Sequence, residues 1–289
     1  MPRFDRSRDD VGNVIHLEHV NTKVPDPLLA TVFYVSGLGL TRDPYLMTGI
    51  DNMWVNVGQS QFHLPTGPAQ VLRGTVGLVL PDLASLSRRL ESVASRLAGT
   101  AFRFDVAPEG IAVTSPWGNR IFCHAPDPAF GPFQLAMPYV RFEVPEGTAE
   151  GIAAFYREII GTWARVRKEE GGRVAEVGAG IWQTLRFAET SSPLPPYDGH
   201  HVQIYLADFS GPHRKLAQRG LISEESDAHQ YRFVAIVDPG SGDLLFEIEH
   251  EVRSLRHPLF GRPLVNRDPR QSNIDYHPDH DALSPFSGR

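Results

Sequence analysis

Three histidines and a carboxylate stand at positions where they could act together. His19 and His201 each open a short alternating run, HVNTKVPD at 19–26 and HVQIYLAD at 201–208. His63 and Glu247 each lie in a short run that closes the same kind of segment. Neutral imidazoles with one carboxylate are suitable donors for a divalent ion such as Fe, Mn, Ni, Co or Zn. Singly, a histidine near a strand start is more often a surface or hydrogen-bonding residue, and His63 could merely cap its strand before Pro65. Glu249 is the alternative to Glu247. Tyr205 and Gln203 share a face with His201. Tyr205 and Glu247 are the candidate catalytic residues; Tyr205 and Gln203 could touch the substrate or support the ligands, and Gln203 reads more readily as filling. Lys23 and Arg186 could meet an anionic substrate. His200, His250, His257, His277 and His280 read as surface or tail residues, and the lone Cys123 as a small buried thiol.

The elements that must position these residues repeat. Strand-like runs ending in a polar turn begin at 19, 75, 139 and 201, at intervals of 56, 64 and 62 residues, and a helix follows each. Asp26 and Asp82 suit N-caps, Pro27 a first helical position, and Gly37, Gly161 and Gly220 helix ends. The predicted helices cover 27–35, 83–97, 148–160 and 210–219. Later strands are expected at 53–57 and 61–64, 111–114 and 120–123, 173–177 and 181–187, and 232–237 and 244–249. A weaker strand precedes each pair in the first three copies and is nearly unreadable in the fourth. Four units in register are the signature of a repeated βαβββ module.

Strand parity aims the side chains. Val20, Thr22 and Val24 share one face, and His19, Asn21 and Lys23 the other. Val202, Ile204 and Leu206 oppose His201, Gln203 and Tyr205. Phe62 and Leu64 oppose Gln61 and His63, and Phe246 and Ile248 oppose Glu247 and Glu249. With the apolar sets under the helices, the polar sets line a cup.

The runs at 19–26 and 201–208, with SPWGNRI at 115–121 and DPGSGDL at 238–244, resemble the vicinal oxygen chelate superfamily, which includes glyoxalase I, extradiol dioxygenases and fosfomycin-resistance proteins. The resemblance covers roughly residues 14–250. It implies an α+β fold of four βαβββ modules in two paired-module, glyoxalase-like domains. The domains are expected at 1–130 and 131–260, with an extended tail over 261–289. The family's ligands come from the first and last strands of facing modules. Those positions are His19 and His63, Thr75 and Cys123, Tyr139 and Gln183, and His201 and Glu247. Only copies one and four supply convincing donors, so the resemblance implies one metal ion per chain, held where copy one faces copy four. It further implies isomerase or lyase chemistry on a small molecule with adjacent oxygens. An Fe(II) extradiol-type dioxygenase and a non-catalytic binding protein are the alternatives.

The bulk composition agrees. Net charge is −6 over 289 residues without a basic stripe, which disfavours nucleic acid and acidic membrane surfaces. One cysteine cannot form an intrachain disulfide. Residues 1–10 lack a signal-peptide core, and no run reaches the ~18 apolar residues of a membrane span. The expectation is a cytoplasmic protein with a small-molecule substrate and a possible homodimer.

Overall fold

The computed structural model describes residues 6–46, 49 and 51–268. Sixteen strands and four helices follow the repeat. Module one contains β1 (Val14–Asn21), α1 (Pro27–Ala30), β2 (Thr41–Arg42), β3 (Asn52–Val57) and β4 (Ser60–Pro65). Module two contains β5 (Gly74–Val79), α2 (Leu83–Val93), β6 (Arg103–Ala107), β7 (Gly110–Thr114) and β8 (Arg120–His124). Module three contains β9 (Ala136–Pro145), α3 (Ala149–Phe155), β10 (Ala164–Glu169), β11 (Gly172–Gly180) and β12 (Gln183–Thr190). Module four contains β13 (His201–Leu206), α4 (Ser210–Ala217), β14 (Ile222–Asp227), β15 (Gln230–Val237) and β16 (Leu244–Ser254).

The caps behave as their residue types require. The Asp26 side chain accepts from the N–H groups of Leu28 and Leu29, with Pro27 in the first turn. Asp82 accepts from Ser85 N–H. Gly161 ends the third helical segment at φ +83°, where a side chain would be strained. The first and third helices continue as wider π turns, Thr31–Gly37 and Tyr156–Ile160.

Two eight-stranded mixed sheets result, giving an α+β fold. One runs β14-β15-β16-β13-β1-β4-β3-β2 and the other β10-β11-β12-β9-β5-β8-β7-β6. Module one is therefore sheet partner to module four, and module two to module three. The boundary expected near residue 130 falls between modules two and three, which share a sheet. β1 meets β13 antiparallel about the pair Val20–Val202. Buried Val20, Val202 and Ile204 belong to the apolar core, as parity requires, and Leu17 joins them although it has the parity of His19, because β1 is bulged between the two.

The side chain of Gln183 ties the two sheets together. Its Nε2 donates to the carbonyls of Leu17 and Met137 and to Ser60 Oγ, and its Oε1 accepts from Leu17 N–H. His16 Nδ1 lies 2.8 Å from the same Oε1. Gln183→Leu would orphan several buried groups at about 1–3 kcal/mol each. The expected result is a stability loss of about 3 kcal/mol or more in urea unfolding. A loss below about 0.5 kcal/mol would show that these bonds are dispensable.

Beyond β16 the chain crosses from module four to module one. Phe260 packs on Tyr205, ring centroids 4.8 Å apart. Arg262 Nη2 donates to Asp43 Oδ2 at 3.0 Å and to Gln61 Oε1 at 3.2 Å. Asn266 exchanges hydrogen bonds with both backbone groups of Gly58. The expected extended tail is thus, over its described part, a strap. His277, His280 and the rest of 269–289 lie outside the described residues. No helix among the described residues is long and apolar enough to cross a membrane.

Candidate metal centre

The centre is built on three strands of the first sheet, β1, β4 and β13, which carry His19, His63 and His201. β1 reaches it through a bulge: Leu17 pairs with Ile204 and His19 with Gln203, leaving Glu18 extra. A bulge re-aims its side chain, and here Glu18 and His19 contact each other, Nδ1 to Oε2 at 3.2 Å. His19, His63 and His201 each bring one ring nitrogen into a cluster whose members lie within 4.8 Å of one another. Among the described residues this is the one such cluster of histidine, cysteine or carboxylate side chains.

The two first-strand histidines are prepared alike. His19 Nδ1 faces Glu18, and His201 Nδ1 lies 3.2 Å from Glu249 Oε1. A carboxylate at Nδ1 draws the proton to that nitrogen and leaves the Nε2 lone pair free. Both Nε2 atoms are buried without a hydrogen-bond partner. Such orphans are costly in a folded protein unless something occupies the space between them. His63 differs. Asn21 Nδ2 lies 2.6 Å from its Nδ1, Asn52 Oδ1 is bonded to its Nε2, and its ring stacks on Trp54 at 3.8 Å. It would have to release one asparagine to bind an ion.

Glu247 is not among the residues brought together. Its side chain is exposed, and its backbone carbonyl accepts from Arg73. The reason is strand length: β16 continues to Ser254, five residues past the expected end. The carboxylate that faces the cluster is Glu251, 3% exposed, with Oε2 3.5 Å from His201 Nε2. Register supports this position. Asn21 pairs with His63 and Gln203 with Glu251, while His19 pairs with Gln61 and His201 with Glu249. Exchanging the modules about Val20 and Val202 therefore carries His19 onto His201 and His63 onto Glu251. Glu249 then stands beside His201 as Glu18 stands beside His19. Arg232 and Arg253 each reach Glu251 at 2.5 Å. Burial opposes the Glu251 charge, but His201, His19 and the arginines outweigh it and hold its carboxyl well below the usual range.

Other candidates separate. Gln203 is fully buried between His19 and Glu251, and both of its side-chain polar atoms lack partners. That marks it as part of the centre rather than filling, a distinction that needs the tertiary neighbours. Tyr205 is buried with its hydroxyl 3.4 Å from Glu18 Oε1. Glu18 also accepts from Arg253 at 3.1 Å, yet burial raises its carboxyl above the usual range. Cys123 is buried against the apolar core, and burial pushes its thiol up to about 12. His200 is buried and bonded to Asp198 at 2.6 Å, and His250 is buried and bonded to the Tyr156 hydroxyl at 2.6 Å, so neither is a surface residue. Arg186 lies over the Tyr139 ring in the second sheet.

Burial lowers His19 well below its ordinary value, His63 to about 2 and His250 to about 3. Neutral imidazoles are the ligating form. They also make the metal-free protein acid-labile. The unfolded chain takes up these protons near pH 6.5 while the folded chain does not, so stability is full above that pH and falls below it. Each group contributes up to about 1.4 kcal/mol per pH unit. Chelator-treated protein is expected to lose most of its stability between pH 7 and about pH 5 in thermal melts. A flat profile would mean that the imidazoles protonate in the folded state.

The donor set fits a divalent ion: two oriented bare Nε2 atoms, a third imidazole and a facing carboxylate. No family model matches the sequence, and no curated protein does. The structure is similar to glyoxalase I from Zea mays, with a TM-score of 0.56 at 14% identity over 83% of this chain and 92% of that one. It is also similar to a candidate dioxygenase from Bacillus subtilis subsp. subtilis str. 168, with a TM-score of 0.55 at 14% identity over 84% and 86%.

Proposed function

We propose that this chain, which has the fold of the vicinal oxygen chelate superfamily, is a divalent-metal-dependent enzyme for a small molecule with adjacent oxygens, with isomerase or lyase chemistry. The observation that carries this reading is the pair of buried Nε2 atoms on His19 and His201 that make no hydrogen bond, each ring backed at Nδ1 by a carboxylate, with Glu251 Oε2 3.5 Å from the His201 Nε2. His19, His201 and Glu251 would hold the ion, with His63 as a fourth, tunable donor. When bound, the ion supplies Lewis acidity toward the two substrate oxygens.

The chain's own residues then handle position and proton. Gln203 offers an amide N–H and a carbonyl oxygen from a site with no competing partner. Glu18, its carboxyl raised by burial, would serve as the base that takes a proton from a substrate carbon and returns it to the adjacent carbon. Tyr205 and Arg253 hold Glu18 in place. Glu247, the carboxylate expected to be catalytic, is exposed and lies outside the histidine cluster.

A second reading has its own support. Both His63 nitrogens are held by asparagines. If they stay so, the residues that would hold an ion are two histidines and a carboxylate, a donor set that suits an Fe(II) ring-cleaving dioxygenase. The test is elemental analysis of protein purified without added metal, followed by assays with a glutathione hemithioacetal and with a catechol under O₂. Hemithioacetal turnover supports the first reading, and iron with O₂ uptake the second. Protein that holds no stoichiometric metal after loading would overturn both and favour simple small-molecule binding.

A further inference from the structure

A cavity of about 480 Å³ lies where the two sheets and the strap meet, a size that takes a drug-sized molecule. Its wall comes from the bulged part of β1, the β3–β4 turn, the start of β9, the β11–β12 turn and the strap. None of His19, His63, His201 and Glu251 lines it, so it is a space apart from the metal centre. Leu135, Met137, Phe260 and Leu264 give it an apolar surface.

The polar side chains in that wall are already paired inside the protein. His16 Nδ1 lies 2.8 Å from Gln183 Oε1, and its Nε2 lies 2.9 Å from the Gln59 carbonyl. Ser60 Oγ donates to the Leu17 carbonyl, and Gln183 Nε2 donates to Ser60 and to two carbonyls. Asn266 is bonded through both amide atoms to Gly58. Glu18 is paired with Arg253 at 3.1 Å and accepts from the Tyr205 hydroxyl. Arg262 is paired with Asp43 at 3.0 Å, and its Nε and Nη1 are buried away from the space. The exceptions among the wall residues are Gln59 and Trp182, both exposed to water at the rim. Each ion pair is neutral as a unit, so the wall offers neither a spare hydrogen-bonding group nor a net charge. A charged ligand would lose its hydration here with nothing in exchange. An apolar one gains with every patch of surface it covers.

The mouth carries a second, independent observation. Ile181 and Trp182 are large apolar side chains left 61% and 54% exposed there. Among the described residues Trp182 is the only non-glycine residue at positive φ, +60°. A bulky residue in that region is strained, and such strain collects at ligand sites. The indole lies across Gly131, where a Cβ would come within 2.6 Å of the ring. Both the strained turn and the missing side chain of Gly131 thus keep an indole at the mouth.

We infer that this cavity is a second ligand site, separate from the metal centre, for an uncharged, hydrocarbon-like small molecule, with Trp182 against it at the mouth and the strap as its roof. The site does not rest on the metal reading above. It depends on the strap and on the contact between the sheets, both of which lie outside the repeated modules.

The test is a fluorescence titration of the full chain with N-phenyl-1-naphthylamine, which brightens in apolar surroundings, and with anilinonaphthalene sulfonate, which adds a charge to the same rings. The neutral probe is expected to bind at one equivalent and at least about tenfold tighter than the sulfonate. Trp182→Gly should weaken the neutral probe about tenfold without lowering the melting temperature, because glycine accepts φ +60° freely. Leu264→Trp fills the space from the strap and should weaken it about tenfold or more. Val106→Ser, at an exposed apolar residue outside the wall, should leave it within about twofold. Chelator treatment should also leave it within about twofold. No saturable binding of the neutral probe, equal or tighter binding of the sulfonate, or an affinity that survives both Trp182→Gly and Leu264→Trp would overturn the inference. Binding that disappears with the chelator would make the cavity part of the metal site and overturn its independence. If Trp182→Gly lowers the melting temperature, Trp182 is structural and Leu264→Trp decides; if Leu264→Trp does not fold, Trp182→Gly decides.

Discussion

Glu251→Gln is expected to weaken divalent-ion binding at least about a hundredfold, while Glu247→Gln leaves it within about twofold. Structural zinc sites bind with about 10–16 kcal/mol. Losing one of four donors therefore removes about 3 kcal/mol, or about a hundredfold. Glu251 also supplies the negative charge that makes a divalent ion tolerable in a buried cup. His201→Ala should be at least as damaging, because it removes a bare Nε2 that is already oriented by Glu249. Glu249→Gln should cost less, about 10–100-fold, as for a group that orients a ligand. Competition against a chelator measures all four. Circular dichroism controls for folding, since Glu251→Gln also frees Arg232 and Arg253. If Glu249→Gln abolishes binding and Glu251→Gln does not, the two carboxylates exchange roles. If Glu247→Gln abolishes it, the strand register is wrong.

Gln203→Leu is expected to separate stability from function. The side chain is fully buried with both polar atoms unpartnered. Exchange for an apolar group of similar size should leave the metal-free protein as stable or raise stability by about 1–2 kcal/mol. The same change should lower turnover, in whichever of the two assays is positive, by about a hundredfold, because the substrate loses a pre-placed amide. Metal content should persist. Destabilisation with full activity would make Gln203 structural, and loss of metal would make its carbonyl a donor.

The repeat, the caps and the facing of β1, β4 and β13 follow from the chain alone, because each depends on residues close in sequence. An alternation of two places His19 and His201 on one side and Val20 and Val202 on the other, whatever the partner strand. Asp26 and Asp82 cap helices through bonds spanning three residues or fewer. Even the pairing of module one with module four was legible, since the histidines are concentrated there. Where β16 ends was not. Glu247, Glu249 and Glu251 share parity, so alternation cannot choose among them, and only the parallel pairing with β13 sets Glu251 beside Gln203. Glu18 lay outside the candidates because a bulge, produced by the pairing with β13, reverses the parity that would have turned it away. Gln203 became informative only once its neighbours left it unpartnered. Which modules share a sheet is a separate matter from where the chain divides near 130. Sequence proximity marks modules, but strand partners are chosen by which edges and apolar faces can close together, and here β1 closes with β13 and β5 with β9.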